Sequence, residues 1–268
     1  MSIYKQLFEG RFTTTSKRLE MSLLEKLYYN FSPTTYTENI VLKKVAQAIG
    51  RRGDVKKIKI LDVGCGGGCE ALSEYGTVTG VDVSVASIDN ARKVYHTALS
   101  MDVTAGLPFQ DGEFDFCYSS EVLGHIAEGD KRVFLQEMAR VLKPGGYAVI
   151  SSETKGDNWF TRWLLANNLY EACWIEPWGH IGLITPKDTV KIIQDHFAIE
   201  EIDKTSTWLL SIDNYMVLSK TFPLLRIFNN DLIRRLCNIF IYLPYRVSLI
   251  ASSFNSANDI VLLCKKIK

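Results

Sequence analysis

Ile58-Lys59-Ile60-Leu61-Asp62-Val63-Gly64-Cys65-Gly66-Gly67-Gly68 is a short apolar run that ends in four glycines among five residues. A run of this length, stopped by glycine, reads as a buried strand turning into a helix. Glycines at such a turn let a ligand approach the backbone, and the N–H groups at the helix start face it. Tight turns also use glycine for geometry alone, so the loop needs a second signal. Asp82 supplies one, eighteen residues beyond Gly64 at the end of the next apolar run, 78–83. A carboxylate there can accept from both ribose hydroxyls of a bound nucleoside. Its structural alternative is a helix cap ahead of Ser84.

Outward from this unit, the pattern repeats. A helix is expected near 85–95, then strands at 97–101 and 114–119, the latter after the turn Asp111-Gly112. Asp130 can cap a helix carrying Phe134, Met138, Val141 and Leu142 on one face. Pro144-Gly145-Gly146 stops it, and 147–152 resumes as strand. Thr185-Pro186-Lys187-Asp188 combines a threonine cap, a proline at the first helical position and an acid at the third. Strands follow at 198–202 and 259–264. Upstream, Leu19, Leu23, Leu24 and Leu27 have helical spacing, and Thr37 or Glu38 opens a helix bearing Val41, Val45, Ala48 and Ile49. Strands alternating with helices predict a doubly wound, Rossmann-like α/β domain with a mostly parallel sheet and an antiparallel last strand. The expected division is an N-terminal helical arm (1–55), the α/β domain (56–203 and 259–268) and a helical insertion (204–258).

Composition agrees with one folded unit of this size: 268 residues, 47% hydrophobic, 23% charged and a net charge of +1. That balance excludes disordered and fibrous classes, and no global field recruits nucleic acid. The six cysteines form no compact framework. Cys65 and Cys69 lack two further zinc ligands nearby, so no metal is expected from them. The chain starts with no apolar leader, and no stretch approaches the roughly 18 apolar residues of a spanning helix. A cytoplasmic location is expected.

The nucleoside is narrowed by position 69. A dinucleotide fingerprint would place glycine there, where this chain has Cys69. Asp62-Val63-Gly64-Cys65-Gly66-Gly67-Gly68 instead resembles the first motif of class I S-adenosylmethionine-dependent methyltransferases. The resemblance continues in order through Asp82, Met101-Asp102-Val103, Leu107-Pro108-Phe109, Phe114-Asp115-Phe116-Cys117, Ser119-Ser120-Glu121-Val122-Leu123-Gly124-His125, and Val141-Leu142-Lys143-Pro144-Gly145-Gly146. It covers about 58–153 and is nearest to the small-molecule enzymes of the ubiquinone and menaquinone biosynthesis type. It implies S-adenosyl-L-methionine as cofactor, with contacts from Asp62, Gly64, Cys65, Gly66, Asp82, Val83, Asp102, Val103 and Ser119. The glycine loop would pack against the methionine part and Asp102 would face the adenine amino group. Where the subgroup often has two adjacent histidines, this chain has Gly124-His125, which leaves His125 open as a base or as a loop-orienting residue.

The implied reaction is methyl transfer to an oxygen, nitrogen or carbon of a small, partly apolar acceptor. Catalytic candidates are His180, in Pro177-Trp178-Gly179-His180, and His125 and Glu121 after the fourth strand; Glu153 follows the fifth. Trp159, Trp163, Trp174 and Trp178 either pack a lid or line the acceptor pocket. Residues 204–258 hold six basic side chains (Lys204, Lys220, Arg226, Arg234, Arg235, Arg246) against two acids (Asp213, Asp231). With Trp208, Phe222 and Phe240 among their apolar neighbours, they fit a cap over the pocket or a dimer contact, or a peripheral membrane surface receiving a lipidic acceptor. Sparse basic residues and no recognised module argue against nucleic acid. A cofactor-binding protein without turnover is the alternative of another class.

Overall fold

The computed structural model describes residues 25, 28, 30–51, 58–207, 219 and 222–267. The leucines at 19, 23, 24 and 27, with Trp208, Asp213 and Lys220, lie outside them.

The central strand β1 (Ile58–Val63) is buried at every position except Lys59, as expected of a parallel strand covered on both faces. Its side chains alternate. Leu61 and Val63 enter one apolar cluster, and Ile58 and Ile60 enter another on the opposite face. Around it run β2 (Gly76–Asp82), β3 (Thr97–Ser100), β4 (Phe114–Ser120), β5 (Leu142–Glu153), β6 (Phe197–Ser206) and β7 (Asp259–Lys266), in the order β3-β2-β1-β4-β5-β7-β6. The first five are mutually parallel. β7 is antiparallel to both β5 and β6. The expected fold class is therefore observed, antiparallel last strand included.

Helices cover both faces. α1 (Pro33–Gly50), the short α2 (Glu70–Ser73) and α3 (Val85–Ala91) bury Val41, Val45, Leu72 and Ile88 with Phe116, Val149 and Leu263. On the other face α4 (Lys131–Val141) and α6 (Pro186–Gln194) bury Phe134, Leu135, Met138 and Ile193 with Leu61, Ile150 and Leu262. The start of α6 is as read: Thr185 Oγ1 accepts from Asp188 N and donates to the Asp188 carboxylate. α1 begins four residues before the expected Thr37, because Pro33 sits at its first position, where a missing N–H costs nothing. β5 pairs with β4 at Leu142 and again at Tyr147. Lys143 to Gly146 bulge between these pairs, and Gly145 takes φ +70°, so the turn seen in the sequence interrupts the ladder without ending the strand.

Between β5 and α6 the chain forms α5 (Trp159–Ala166), capped by Asn158, and a π-turn at Glu171–Ile175. Phe160, Leu164, Tyr170, Cys173 and Trp174 close a satellite core there. After β6, a 3-10 segment at Pro223–Asn229 leads into α7 (Asp231–Ala251). α7 buries Tyr245 and Leu249 against Tyr36 of α1, and the Tyr245 hydroxyl donates to Thr205 O in β6.

Candidate active site

Strand order reverses between β1 and β4, and the crevice beyond their C-terminal ends is where open α/β sheets take ligands. A cavity of about 430 Å³ opens there. One wall is the glycine loop. Gly64 N and Cys65 N both donate to Val81 O, at 2.8 and 3.0 Å, pinning the loop to the end of β2. Gly64 has φ +77°, and a Cβ placed on it would lie 2.3 Å from Val122 Cγ2, so conformation and packing both demand glycine. Asp82 accepts from Gly66 N through one carboxylate oxygen and from Ser84 N through the other, each at 2.9 Å. Asp102 Oδ1 accepts from Thr104 N and Thr104 Oγ1 at 3.0 and 2.6 Å. Gly64, Cys65, Gly66, Asp82, Val83, Asp102 and Val103 all line the cavity.

Two expected cofactor residues stand elsewhere. Asp62 lies beneath the loop, 2% exposed. Its Oδ2 accepts from the Tyr95 hydroxyl at 2.6 Å, and Tyr95 in turn accepts from Cys69 N at 2.7 Å. Burial pushes its carboxyl up to about 7. Asp62 thus props the loop from below and is absent from the cavity wall. Ser119 is likewise buried within β4, and Ser120, one pleat further on, faces the cavity. Gly67, Thr104 and Ser120 line the cavity without having been singled out. Thr104 was legible as the second residue after Asp102, the position an aspartate turn selects.

The opposite wall is polar and enclosed. Glu121 takes φ +57°, one of two positive-φ non-glycine residues among those described, an uncommon conformation that clusters at functional sites. Its Oε1 accepts from Ser151 Oγ at 2.5 Å. Burial, then the neighbouring Glu153 charge, raises its carboxyl well above the usual range. Glu153 sits at the end of β5, and burial pushes it to about 7. The His125 and His180 rings stack with centroids 4.9 Å apart. Their Nε2 atoms stand 3.9 and 3.4 Å from Glu153 Oε1. Their Nδ1 atoms face the Gly179 and Trp174 carbonyls at 3.2 and 2.8 Å.

Of the three catalytic candidates, Glu121 and His125 line the cavity, while His180 stands immediately behind, 4% exposed. Gly124 explains how the second imidazole arrives. Its carbonyl accepts from Ile181 N and Gly182 N, each at 3.1 Å. A Cβ on it would meet Glu153 Oε2 at 3.0 Å and His180 Cδ2 at 3.3 Å. The paired histidines therefore come from two segments. The tryptophans divide: Trp174 packs in the satellite core, Trp178 lines the cavity, and Trp159 and Trp163 are exposed. No residue of 204–258 that the structure describes lines the cavity.

A model of the family described as "Methyltransferase domain" matches residues 61–150. The chain is 30% identical over 190 residues to a ubiquinone biosynthesis O-methyltransferase from a Chelativorans species, spanning 61% of this chain and 71% of that relative. The chain belongs to the S-adenosylmethionine-dependent methyltransferases. It is also 36% identical over 107 residues to a 2-methyl-6-phytyl-1,4-hydroquinone methyltransferase from Synechocystis, spanning 37% of this chain and 33% of that one. The fold matches a phosphoethanolamine N-methyltransferase from Haemonchus contortus solved with S-adenosyl-L-methionine, with a TM-score of 0.59, 18% identity and coverage of 100% of this chain and 61% of that one. This methyltransferase therefore takes S-adenosyl-L-methionine as its cofactor, and the cavity offers what a nucleoside with a charged amino-acid tail needs: an approachable glycine backbone and carboxylates at the ends of β2 and β3.

Proposed function

We propose that this methyltransferase methylates a hydroxyl oxygen of a small aromatic acceptor with an apolar substituent, of the quinol-precursor class. The observation that carries the reading is one cavity with two unlike walls: the glycine loop with Asp82 and Asp102 on one side, and Glu121, His125, Glu153 and Trp178 on the other. In this reading Asp82 holds the ribose, Asp102 the adenine and Gly64 to Gly66 the amino-acid portion of the cofactor. The cofactor supplies an electrophilic methyl group. The protein aligns the acceptor oxygen with it and takes up the hydroxyl proton. Glu153, held near 7, is matched to that task near neutral pH. Trp178, on the cavity wall, adds aromatic surface for an acceptor ring. Assigning the oxygen follows the curated relatives, which are O-methyltransferases of ubiquinone biosynthesis.

Release of S-adenosylhomocysteine, measured against catechols with and without a prenyl tail, phenolic acids and primary amines, tests this. Turnover of tailed catechols is expected; turnover of amines alone would overturn it.

A second reading concerns where the acceptor is met, and one surface favours it. Leu232, Leu236, Phe240, Leu243, Val247 and Ile250 form an exposed stripe along α7, with Phe240 at 79% and Ile250 at 82% exposure. The stripe adjoins exposed Leu224 and Ile227, and the Phe222 ring lies tilted beside Trp163 with centroids 6.1 Å apart. Exposed Arg226 lies in the 3-10 segment before α7, Arg234 and Arg235 on α7 pair with Asp231, and Arg246 lies over the Tyr36 ring. An apolar stripe with basic company fits the interface of an anionic bilayer, lying on it. No helix among the described residues is long and apolar enough to cross a membrane. Co-sedimentation with phosphatidylglycerol vesicles at low salt is expected; no binding there would remove the reading.

A further inference from the structure

The wall formed by His125, Glu153 and His180 brings two imidazoles and a carboxylate, three metal-ligating side chains, to one end of the cavity. Both Nδ1 atoms face backbone carbonyls, which only accept. Each Nδ1 therefore carries the hydrogen, and in neutral His180 Nε2 presents a lone pair. His180 Nε2 stands 3.4 Å from the Glu153 Oε1 carboxylate oxygen. His180 Nε2 is buried and makes no hydrogen bond, and Glu153 Oε2 is buried and makes none either. An orphaned imidazole nitrogen thus stands beside a carboxylate whose second oxygen is also orphaned, an arrangement that costs free energy unless a proton or a cation stands among them.

We propose that His125 Nε2, His180 Nε2 and Glu153 together bind a divalent transition-metal ion at the acceptor end of the cavity. One ligand atom from each of the three lies within 4.8 Å of the other two. Ligands 2.0–2.2 Å from a common tetrahedral ion stand about 3.3–3.6 Å apart, so the His180–Glu153 separation already fits, the His125–Glu153 pair at 3.9 Å closes by about half an ångström, and the two histidine ligand atoms, within 4.8 Å of each other, draw in around the ion. Imidazole nitrogen that donates its other N–H to a backbone carbonyl is the usual second-shell arrangement of a metal-bound histidine. Two imidazoles with one carboxylate select zinc, manganese, iron(II) or cobalt over magnesium and calcium. Three protein ligands leave a position open, and His125 and Glu153 place it on the cavity side. The surrounding charge agrees. Glu121 and Asp259 also face this region, and Lys131, donating to Leu123 O, is the near cation that acts on Glu153. The open position suits an acceptor oxygen, so the ion would anchor the substrate and increase the acidity of its hydroxyl, replacing the proton-accepting role that Glu153 has in the metal-free reading.

Metal uptake is measured without turnover, so the assignment stands or falls separately from the acceptor class. Metal-free protein is titrated calorimetrically with Zn²⁺, and the Co²⁺ form is followed by visible absorption. One equivalent is expected for the wild type, with affinity lowered about tenfold or more in Glu153→Gln and His180→Ala. His196→Ala, altering a histidine outside the cluster, is expected to bind as the wild type does. Thermal melting identifies any variant that fails to fold, and the isosteric Glu153→Gln then decides. Folded wild type that takes up no ion overturns the proposal and leaves a proton shared between His180 and Glu153. Unchanged affinity in Glu153→Gln overturns it equally, since the ion would then sit elsewhere.

Discussion

Asp62 and Asp82 are twenty residues apart, and their environments give them opposite tasks. Asp82, on the cavity wall, has its carboxylate oriented by two backbone N–H groups. Asp62 is enclosed, with Oδ1 unpartnered and its carboxyl pushed to about 7 from an ordinary value of 3.8. Below about pH 4 it is protonated whether the chain is folded or not. As pH rises towards 7 the unfolded chain ionises first, which favours unfolding, and above 7 the penalty is constant. Urea denaturation at several pH values is therefore expected to show wild type gaining stability on Asp62→Asn as pH falls from 7 to 4. A difference independent of pH would mean that Asp62 is ionised in the folded protein. The motif made both acids visible in the sequence. It could not separate a residue facing the ligand from one beneath the loop, because that depends on Tyr95, thirty-three positions away.

At the scale of elements, local chemistry was the most readable. The Thr185 cap, Pro186 and Asp188 define the start of α6 within a few residues, and the structure forms that cap. Thr185→Ala is expected to cost about 1 kcal/mol, seen as a melting point lower by a few degrees. No change would mean that α6 is held by packing alone. The strands followed from apolar runs and glycine, with ends adjusted by pairing: β2 starts at Gly76, two residues early, because Gly76 and Thr77 pair with Ile58 and Lys59. α7 was harder to read. Its sequence is apolar on several faces and contains Pro244, so periodicity did not reveal which side is buried. Asn238, Tyr245, Ser248 and Leu249 face inward, leaving the larger apolar side chains outside. Phe240→Glu combined with Leu243→Glu is expected to abolish sedimentation with anionic vesicles while leaving the melting point within about a degree, since surface substitutions cost little. Binding that survives the pair would place the lipid contact elsewhere.

For the whole molecule, the alternation of strands and helices implied a doubly wound sheet, and ordered motifs over about one third of the chain implied the cofactor. What stayed hidden is the convergence of distant segments. β7 inserts between β5 and β6, and His180 crosses from the segment after β5 to stack on His125, filling space that Gly124 leaves open. No local pattern encodes such a meeting; it follows from the sheet order and from the carbonyl of Gly124 holding Ile181 and Gly182. The account as a whole depends on the crevice beyond β1 and β4 being the cofactor site. Calorimetric titration with S-adenosylhomocysteine tests this most directly. One site per chain is expected in the wild type, weakened by about 1.5–3 kcal/mol, roughly ten- to a hundredfold, in Asp82→Ala. Folded wild type that gives no binding, or an Asp82→Ala variant that binds as tightly, would contradict it.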